Sequence, residues 1–198
     1  METNTQKRYQ ERLTSNNAAL LLIDHQVGLF TGVRDIPIAE LKHNVVALAK
    51  AAKVLGVPVI VTATSPEMWG PVIPELTEAL PGVPIIARTT VNAFDDARFA
   101  KAVEATGRKK LIMTALWTEV CLTFPTLDAI HDGYEVYPVI DAVGGTSPEA
   151  HDLGVKRMIQ AGAKPVSWAQ LICELQRDWQ RKDTAKVFAE ILFAVEGN

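Results

Sequence analysis

The sequence predicts a soluble α/β protein with a doubly wound, mostly parallel sheet of six strands and helices on both faces. Short apolar runs such as AALLLI and VPVIVT alternate with longer segments of helical periodicity, which is typical of βαβ units. Within these runs apolar and polar residues do not alternate, as expected of strands that helices cover on both faces. Gly, Pro or charged residues bound most of the runs, so each strand is expected to be short.

Five strong apolar runs and one weak run are the predicted strands. They are Ala18–Ile23, Val57–Thr62, Val83–Ala87, Lys110–Thr114 and Glu135–Ile140, with a weak sixth near Lys164–Val166. We expect the common doubly wound strand order, 3-2-1-4-5-6.

Helices are predicted between the strands. Ile38–Leu55, Ala97–Thr106 and Pro148–Gly162 carry apolar residues at helical spacing, and each ends at or just before a glycine, which suits a C-terminal cap. The last stretch, Asp183–Val195, places its apolar residues along one helical stripe. Such a stripe either covers the sheet or docks on a neighbouring subunit.

Length and composition predict one domain over residues 1–198, with an N-terminal arm at 1–16 and a C-terminal helical region at 178–198 that is suited to oligomer contacts. The chain has 198 residues, 48% of them hydrophobic, and a formal net charge of -3. This balance argues against disorder and against a nucleic-acid partner. The polar start and the lack of a long apolar segment predict a cytoplasmic protein without a membrane partner. The two cysteines are expected to remain free thiols.

Polar residues that follow three of the predicted strands indicate where the chemistry lies. Asp24 follows the first strand, Arg88 the third, and Thr118, Glu119 and Cys121 the fourth. In an open parallel sheet, ligands bind beyond the carboxyl ends of the strands, where the strand order reverses. In the expected order, the first and fourth strands flank that crevice. Asp24 and Cys121 are therefore predicted to face each other across it.

Cys121 is the candidate nucleophile. It follows a possible N-cap, Thr118, by three positions, so we expect it in a first helical turn whose positive potential lowers the pKa of the thiol. A nearby Arg88 would lower that pKa further, and Asp24 could accept the thiol proton. The backbone N–H groups of Trp117, Thr118 and Cys121 are candidate donors to an oxyanion.

Each of these residue types has an ordinary structural role, and only their agreement favours catalysis. A lone Cys is usually a small buried hydrophobe, and Cys173, in the apolar stretch AQLICEL, is predicted to be one. His25 is a rival base or metal ligand, but adjacent residues of an extended chain point to opposite sides, so we expect it to face away from Cys121 if Asp24 faces it. Pro125 either bends the helix after Cys121 or marks its start, with Cys121 in a preceding turn.

Aromatic residues in the predicted loops suggest a compact apolar pocket for a small molecule. These residues are Phe30, Trp69, Phe94 and Trp117, with Asn92 beside them. No Gly-rich GxGxxG follows the first strand, so no cofactor is expected. A flavin- or nucleotide-binding module, a thiol-based redox sensor, and a non-catalytic oligomeric scaffold with a vestigial site remain the alternatives.

Three motifs resemble those of the isochorismatase-like cysteine hydrolases. They are LLIDHQVGL around Asp24, IARTTVNAF around Arg88 and ALWTEVCLTFPTLDAI around Cys121, and the resemblance spans most of the chain. The segment CELQRDW is similar to the YcaC-like branch. The resemblance implies that Cys121 is the nucleophile, Asp24 its base and Arg88 the cation, and that the protein is a homo-oligomer, with an octamer as one possibility. It also implies a non-proline cis peptide between Trp117 and Thr118.

Two departures from the wider family carry chemical meaning. Lysine is usual where this chain has Arg88, and an arginine stays protonated, so it acts through its charge and does not shuttle a proton. Metal-dependent relatives have an Asp-x-His cluster after the second strand, where this chain reads TATSPEMW, so no catalytic metal is predicted. The expected reaction is hydrolysis of the C–N bond of a small amide through a thioester on Cys121.

Overall fold

The computed structural model describes residues 11–194. The strands are β1 (Ala18–Ile23), β2 (Val59–Thr64), β3 (Ile85–Arg88), β4 (Lys110–Ala115) and β5 (Glu135–Pro138). The α-helices are α1 (Val27–Phe30), α2 (Ile38–Val54), α3 (Pro66–Trp69), α4 (Pro74–Ala79), α5 (Ala97–Ala105), α6 (Thr123–His131), α7 (Pro148–Ala161), α8 (Trp168–Gln176) and α9 (Ala185–Leu192). A 3-10 turn covers Ala93–Asp95, and a π-helix covers Thr118–Leu122.

The strands form one parallel sheet in the order β3-β2-β1-β4-β5. The α/β class and the doubly wound order are confirmed. The sixth strand is not: Val166 makes only an isolated parallel bridge to Val139. The Lys164 N–H donates to Val136 O at 2.9 Å, but Pro138 has no N–H to donate to Lys164 O. A second bridge therefore does not form, and the sheet has five strands in the described part of the chain.

Two strands begin two residues later than predicted, and a proline precedes each start. The Val57 N–H donates to Ala52 O at 2.9 Å and closes the end of α2, and the Val83 N–H donates to Leu80 O at 3.2 Å in a turn. Pro58 and Pro84 follow these residues and have no N–H to offer a neighbouring strand. Ladder pairing therefore starts only at Val59 and Ile85.

Apolar layers pack on both faces of the sheet. Along β1, Leu20 and Leu22 belong to the layer that contains the buried face of α2, whereas Leu21 and Ile23 belong to the layer that contains Cys121. Every side chain of β1 is buried, as expected for the central strand of a doubly wound sheet. Residue 23 pairs with Thr62 of β2 and Ala115 of β4, so the carboxyl ends of these three strands lie at one edge.

The opposite edge of the sheet carries a buried ion network. Lys110 and Glu135 are the first residues of β4 and β5, and Lys110 Nζ lies 3.0 Å from Glu135 Oε2. Lys164 Nζ lies 2.9 Å from the same oxygen. The Tyr137 hydroxyl also donates to it at 3.2 Å. These charges are grouped at the amino ends of the strands, away from the edge where Asp24 lies.

The C-terminal helix is shorter than predicted and packs on the domain. Helix α9 contacts α2 and α8, with Phe188 buried and Val187 exposed. Val195 and the first ten residues of the proposed N-terminal arm lie outside the described residues. Between residues 11 and 194, no helix is long and apolar enough to cross a membrane.

Candidate active site

Asp24 occupies a sharp turn at the end of β1. Its φ is 60°, a left-handed conformation that Asp tolerates better than most residues. The Asp24 N–H donates to Thr62 O at 2.9 Å, and the Gln26 N–H donates to Asp24 O at 2.8 Å. The turn is thereby fixed, and the carboxyl is fully buried at the carboxyl edge of the sheet.

Arg88 holds one side of the Asp24 carboxyl. Its Nη2 donates to Asp24 Oδ2 at 2.5 Å, and both side chains are inaccessible to solvent. Its Nη1 donates to Thr90 O. A guanidinium can make both contacts at once because its donors form a rigid, planar fork. The other carboxyl oxygen, Asp24 Oδ1, is buried and accepts no hydrogen bond within the described part of the chain.

Cys121 lies close to that carboxyl. Its thiol interacts with the Asp24 carboxyl and with the backbone of Trp117, and both interactions act on the pKa of the thiol. Cys121 is 6% exposed, so only a small opening leads to it. The structure thus brings together the three residues that the sequence singles out, since Asp24 pairs with Arg88 and both act on the Cys121 thiol.

The ionisation of the pair differs from our expectation for Cys121. Burial, followed by the negative charge of Asp24, raises the pKa of the Cys121 thiol above its ordinary value, and Arg88 and the Trp117 N–H only partly oppose this. The prediction of a lowered thiol pKa is therefore wrong, because burial outweighs the nearby positive charge. Burial also raises the pKa of Asp24 to about 6, against the lowering effect of Arg88 and of the thiol hydrogen bond.

At neutral pH the resting pair is accordingly a carboxylate beside a neutral thiol. Asp24 is mostly ionised above its pKa of about 6, whereas Cys121 keeps its proton. A carboxylate in this state can accept a proton from the thiol.

The segment around Cys121 is not the capped α-helix that we expected. Cys121 belongs to the π-helix, in which the Leu122 N–H donates to Trp117 O at 3.3 Å, and the α-helix α6 begins only at Thr123. Pro125 lies in the first turn of α6, where a proline is tolerated. Of the two arrangements that Pro125 allowed, the one with Cys121 in a preceding turn is correct.

Thr118 does not cap this segment. No side chain caps the start of the π-helix; instead Thr118 Oγ1 lies 3.0 Å from Nδ1 of His151. The Thr118 N–H donates to Gly144 O at 2.9 Å, so it is not free to bind an oxyanion. The cis peptide joins Leu116 to Trp117, one residue before the position that we predicted, at the point where β4 leaves the sheet.

The residues proposed as pocket walls have different surroundings. The rings of Trp69 and Trp117 meet edge to face at 6.0 Å, and Phe94 packs in the layer that contains Cys121. Phe30 is buried in the opposite layer. Asn92 donates to Asp128 Oδ2 at 2.5 Å and accepts from the Phe94 N–H at 3.1 Å. Both ends of its side-chain amide therefore bind neighbouring protein groups.

The remaining candidates, His25 and Cys173, have other surroundings. His25 Nε2 lies 3.2 Å from Thr114 Oγ1 and 3.5 Å from Ala142 O, and burial lowers the pKa of His25 to about 4. Cys173 is exposed on α8, so the prediction that it belongs to the core is wrong. Its neighbours Ile172 and Leu175 occupy the buried face of that helix instead.

Gln26 is a supporting residue that the sequence reasoning did not identify. Its Nε2 donates to Thr64 O at 3.0 Å and Gly70 O at 2.7 Å, and its Oε1 accepts from the Thr64 N–H at 2.8 Å. The Thr64 backbone that Gln26 holds also acts to lower the pKa of Asp24. The only sequence signal was its place two residues after Asp24.

A five-stranded parallel sheet with a buried Asp–Arg–Cys group at its carboxyl edge defines a cysteine hydrolase of the isochorismatase type. A model of the isochorismatase domain matches residues 18–170, and the chain belongs to this family. The probable hydrolase YcaC of Escherichia coli K12 is 45% identical over 173 residues, which cover 85% of this chain and 82% of that protein.

Two solved structures of YcaC proteins share the fold closely. YcaC from Pseudomonas aeruginosa, with hexane-2,5-diol and covalent acrylamide, has a TM-score of 0.88 and 43% identity. The YcaC gene product of E. coli, an octameric hydrolase of unknown specificity, has a TM-score of 0.88 and 41% identity. Each comparison covers 92% of this chain and 91% of the other.

Proposed function

We propose that this protein hydrolyses the C–N bond of a small amide through a thioester on Cys121. The observation that carries the proposal is the buried Asp24 carboxyl, which pairs with the Arg88 guanidinium and interacts with the Cys121 thiol. A carboxylate with a pKa of about 6 is matched to proton transfer near neutral pH.

The first half of the reaction forms a covalent intermediate. The Cys121 sulfur attacks the carbonyl carbon while its proton passes to Asp24 Oδ1, and the carbonyl oxygen becomes an oxyanion. The Cys121 backbone N–H is the donor that we propose for this oxyanion, since the Thr118 N–H is bonded to Gly144. The protonated Asp24 then gives its proton to the departing nitrogen, and the C–N bond breaks to leave a thioester and an amine.

The second half releases the acid. A water molecule gives a proton to Asp24 and attacks the thioester carbon, after which the sulfur leaves and regains the proton. Arg88 keeps its charge throughout and holds Asp24 Oδ2, so its part is electrostatic. Trp69, Phe94 and Trp117 are the walls that we propose for the substrate, and their apolar surface favours a compact, uncharged molecule.

A mass measurement tests the proposal directly. Because Cys173 is exposed, the parent protein for this test carries Cys173→Ser. We expect small amides, esters or nitriles to leave an adduct on Cys121, and we expect Cys121→Ala to form none. An adduct of equal yield on Cys121→Ala, or an unchanged Cys121 after the whole panel while acrylamide still labels it, would contradict the proposed reaction.

Acrylamide is the natural first probe. It is bound covalently in the P. aeruginosa relative, and it is both a small amide and an acceptor for thiols. We propose that Cys121 adds to it and that Asp24 takes the thiol proton. Its alkylation rate therefore reports the reactivity of the thiol without knowledge of the natural substrate.

We also propose that the protein assembles as an octamer, as the E. coli relative does. Helix α9 exposes Val187, and the stacked rings of Trp179 and Phe193 beside it are exposed as well. All three are suited to contacts between subunits. Light scattering coupled to size-exclusion chromatography measures the mass. A monomer at micromolar concentration would contradict this proposal and leave the reaction at Cys121 unaffected.

A further inference from the structure

A group of side chains lies behind the cysteine-bearing π-helix, on the side of α7. We call Asp35, Thr118, Glu119 and His151, together with the backbone of residues 144–146, the clamp. His151 Nδ1 lies 3.0 Å from Asp35 Oδ2 and 3.0 Å from Thr118 Oγ1. The Gly145 N–H donates to Asp35 Oδ1 at 2.7 Å. One histidine thus joins the first residue of the π-helix to a loop that enters from the other layer.

The two contacts of His151 determine which of its ring nitrogens carries a hydrogen. An ionised carboxylate only accepts hydrogen bonds, so His151 Nδ1 must carry the hydrogen that it shares between Asp35 and Thr118. The side chains of His151 and Asp35 are 18% and 7% exposed, which makes the bond stronger than one on the surface.

The second residue of the π-helix is held by the same loop. Glu119 Oε1 accepts from the N–H of Thr146 at 3.1 Å and from its Oγ1 at 2.6 Å. A Cβ on Gly145 would lie 2.9 Å from His151 Cβ and 3.1 Å from Glu119 Oε2. Only a glycine therefore lets the loop pass between these two side chains without a shift.

We propose that His151 is a positioning residue for Cys121: through the clamp it holds the π-helix so that the thiol stays on the Asp24 carboxyl. This rests on the proposed role of Cys121 as the nucleophile. Thr118 and Cys121 belong to the same short π-helix, so a shift at its start moves the thiol. A displacement of about 1 Å can slow a positioned reaction by up to a hundredfold.

The test compares His151→Ala with His151→Asn in the Cys173→Ser parent. The side-chain N–H₂ of an asparagine can occupy nearly the place of Nδ1, so Asn restores the donor, whereas Ala removes it. We expect the acrylamide labelling of Cys121 to be about tenfold slower in His151→Ala and close to the parent rate in His151→Asn. Asp152→Asn, an exposed position on the same helix, is the matched control and should change nothing.

The pH profile separates positioning from a general loss of structure. The thiol hydrogen bond lowers the pKa of Asp24, so a thiol that has moved away lets that pKa rise. The labelling rate of Cys121 is expected to fall at acid pH as Asp24 becomes protonated, and the midpoint of this acid limb is the pH of half-maximal rate. That midpoint should move above pH 6 in His151→Ala, whereas a smaller folded fraction alone would not move it. Thr118→Val removes the other half of the contact and should shift the midpoint in the same direction if His151→Ala does not fold.

The outcomes distinguish the two proposals. Labelling of Cys121 in the parent, together with a folded His151→Ala variant that reacts at the parent rate and with the parent midpoint, overturns the role of His151 alone. A parent protein whose Cys121 does not react overturns the proposed function as well.

Discussion

At the scale of single residues, the proposed reaction depends on a proton that Asp24 and Cys121 share. Asp24 has a raised pKa because it is buried, and Cys121 has a raised pKa because it is buried beside Asp24. Each group alone would be a poor catalyst in this environment. Together they allow the sulfur to become nucleophilic only as its proton leaves for the carboxylate.

The acid limb of the reaction should report Asp24. Because only the carboxylate accepts the thiol proton, the rate of Cys121 labelling by acrylamide should rise with pH and reach its half-maximum at about pH 6. In Asp24→Asn this limb should disappear, and amide turnover should fall by roughly 10² to 10⁴-fold. Labelling rates measured between pH 4.5 and 8 check the pH dependence. If the fall at acid pH persists in Asp24→Asn, a group other than Asp24 causes it.

The same pKa predicts a pH-dependent stability. The pKa of Asp24 is about 6 in the folded protein and 3.8 in an unfolded chain, so its contribution is fully present below pH 4 and is lost as the pH rises through 6. Relative to wild type, Asp24→Asn should gain about 2 kcal/mol between pH 4 and pH 7. Urea unfolding of both proteins at the two pH values measures the change. A constant difference would mean that Asp24 has an ordinary pKa.

Arg88 should set the midpoint of that limb. Its charge lowers the pKa of Asp24, so Arg88→Met should move the acid limb upward by about one to three pH units. Arg88→Lys keeps the charge but not the two-pronged contact with Asp24 and Thr90, so its shift should be smaller. Labelling profiles of the two variants check the order, and equal shifts would show that the fork geometry matters more than the charge.

At the scale of elements, the site is assembled from turns that pack closely. A Cβ on Gly28 would lie 2.6 Å from Trp69 O, and a Cβ on Gly32 would lie 2.4 Å from the Trp117 ring. Helices α1 and α3 therefore approach each other through a glycine, and Gln26 ties the same region to β2. The end of β1 that carries Asp24 is held by this contact.

Gly28→Ala tests that packing. The added methyl group meets backbone atoms that cannot rotate away, so we expect a loss of about 1–3 kcal/mol in the free energy of unfolding and slower labelling of Cys121. Glu67→Ala, at an exposed position on α3, is the control. Urea unfolding and acrylamide labelling are the two measurements, and a stable variant with parent reactivity would show that the α1–α3 contact is free to relax.

The sequence predicted the elements and the three central residues, but not their local surroundings. Asp24, Arg88 and Cys121 could be found because strand ends in a parallel sheet share an edge. The pairing of Asp35 with His151 could not, since the two residues lie far apart in the chain and no periodic pattern joins them. The ionisation of Cys121 depends on burial at the site, and a sequence gives only a weak indication of that.

At the scale of the molecule, chemistry and stabilising charge lie at opposite edges of the sheet. Burial acts to raise the pKa of Glu135, but hydrogen bonds from Lys164 and Lys110 outweigh it and lower that pKa below its ordinary value. The network therefore stabilises the fold above the ordinary pKa of a glutamate and weakens as the pH falls through the lower value in the folded protein.

Glu135→Gln should separate stability from reactivity. It leaves the buried Lys110 without this charge partner, so we expect a loss of about 3 kcal/mol in the free energy of unfolding. The rate of Cys121 labelling per folded molecule should stay at the parent value because the two edges do not touch the same groups. Urea unfolding at one fixed protein concentration and the labelling assay check both statements. A large change in the labelling rate would show that the edges are coupled.

The neutral resting thiol should also make Cys121 resistant to oxidation. Peroxides attack thiolates, and they attack exposed ones most readily. Cys121 is buried and holds its proton at neutral pH. A peroxide therefore meets neither an exposed sulfur nor a thiolate, and we expect it to oxidise Cys121 slowly. In the proposed reaction the thiol loses its proton only when a substrate is attacked, so the same arrangement should protect Cys121 from oxidation in the resting protein.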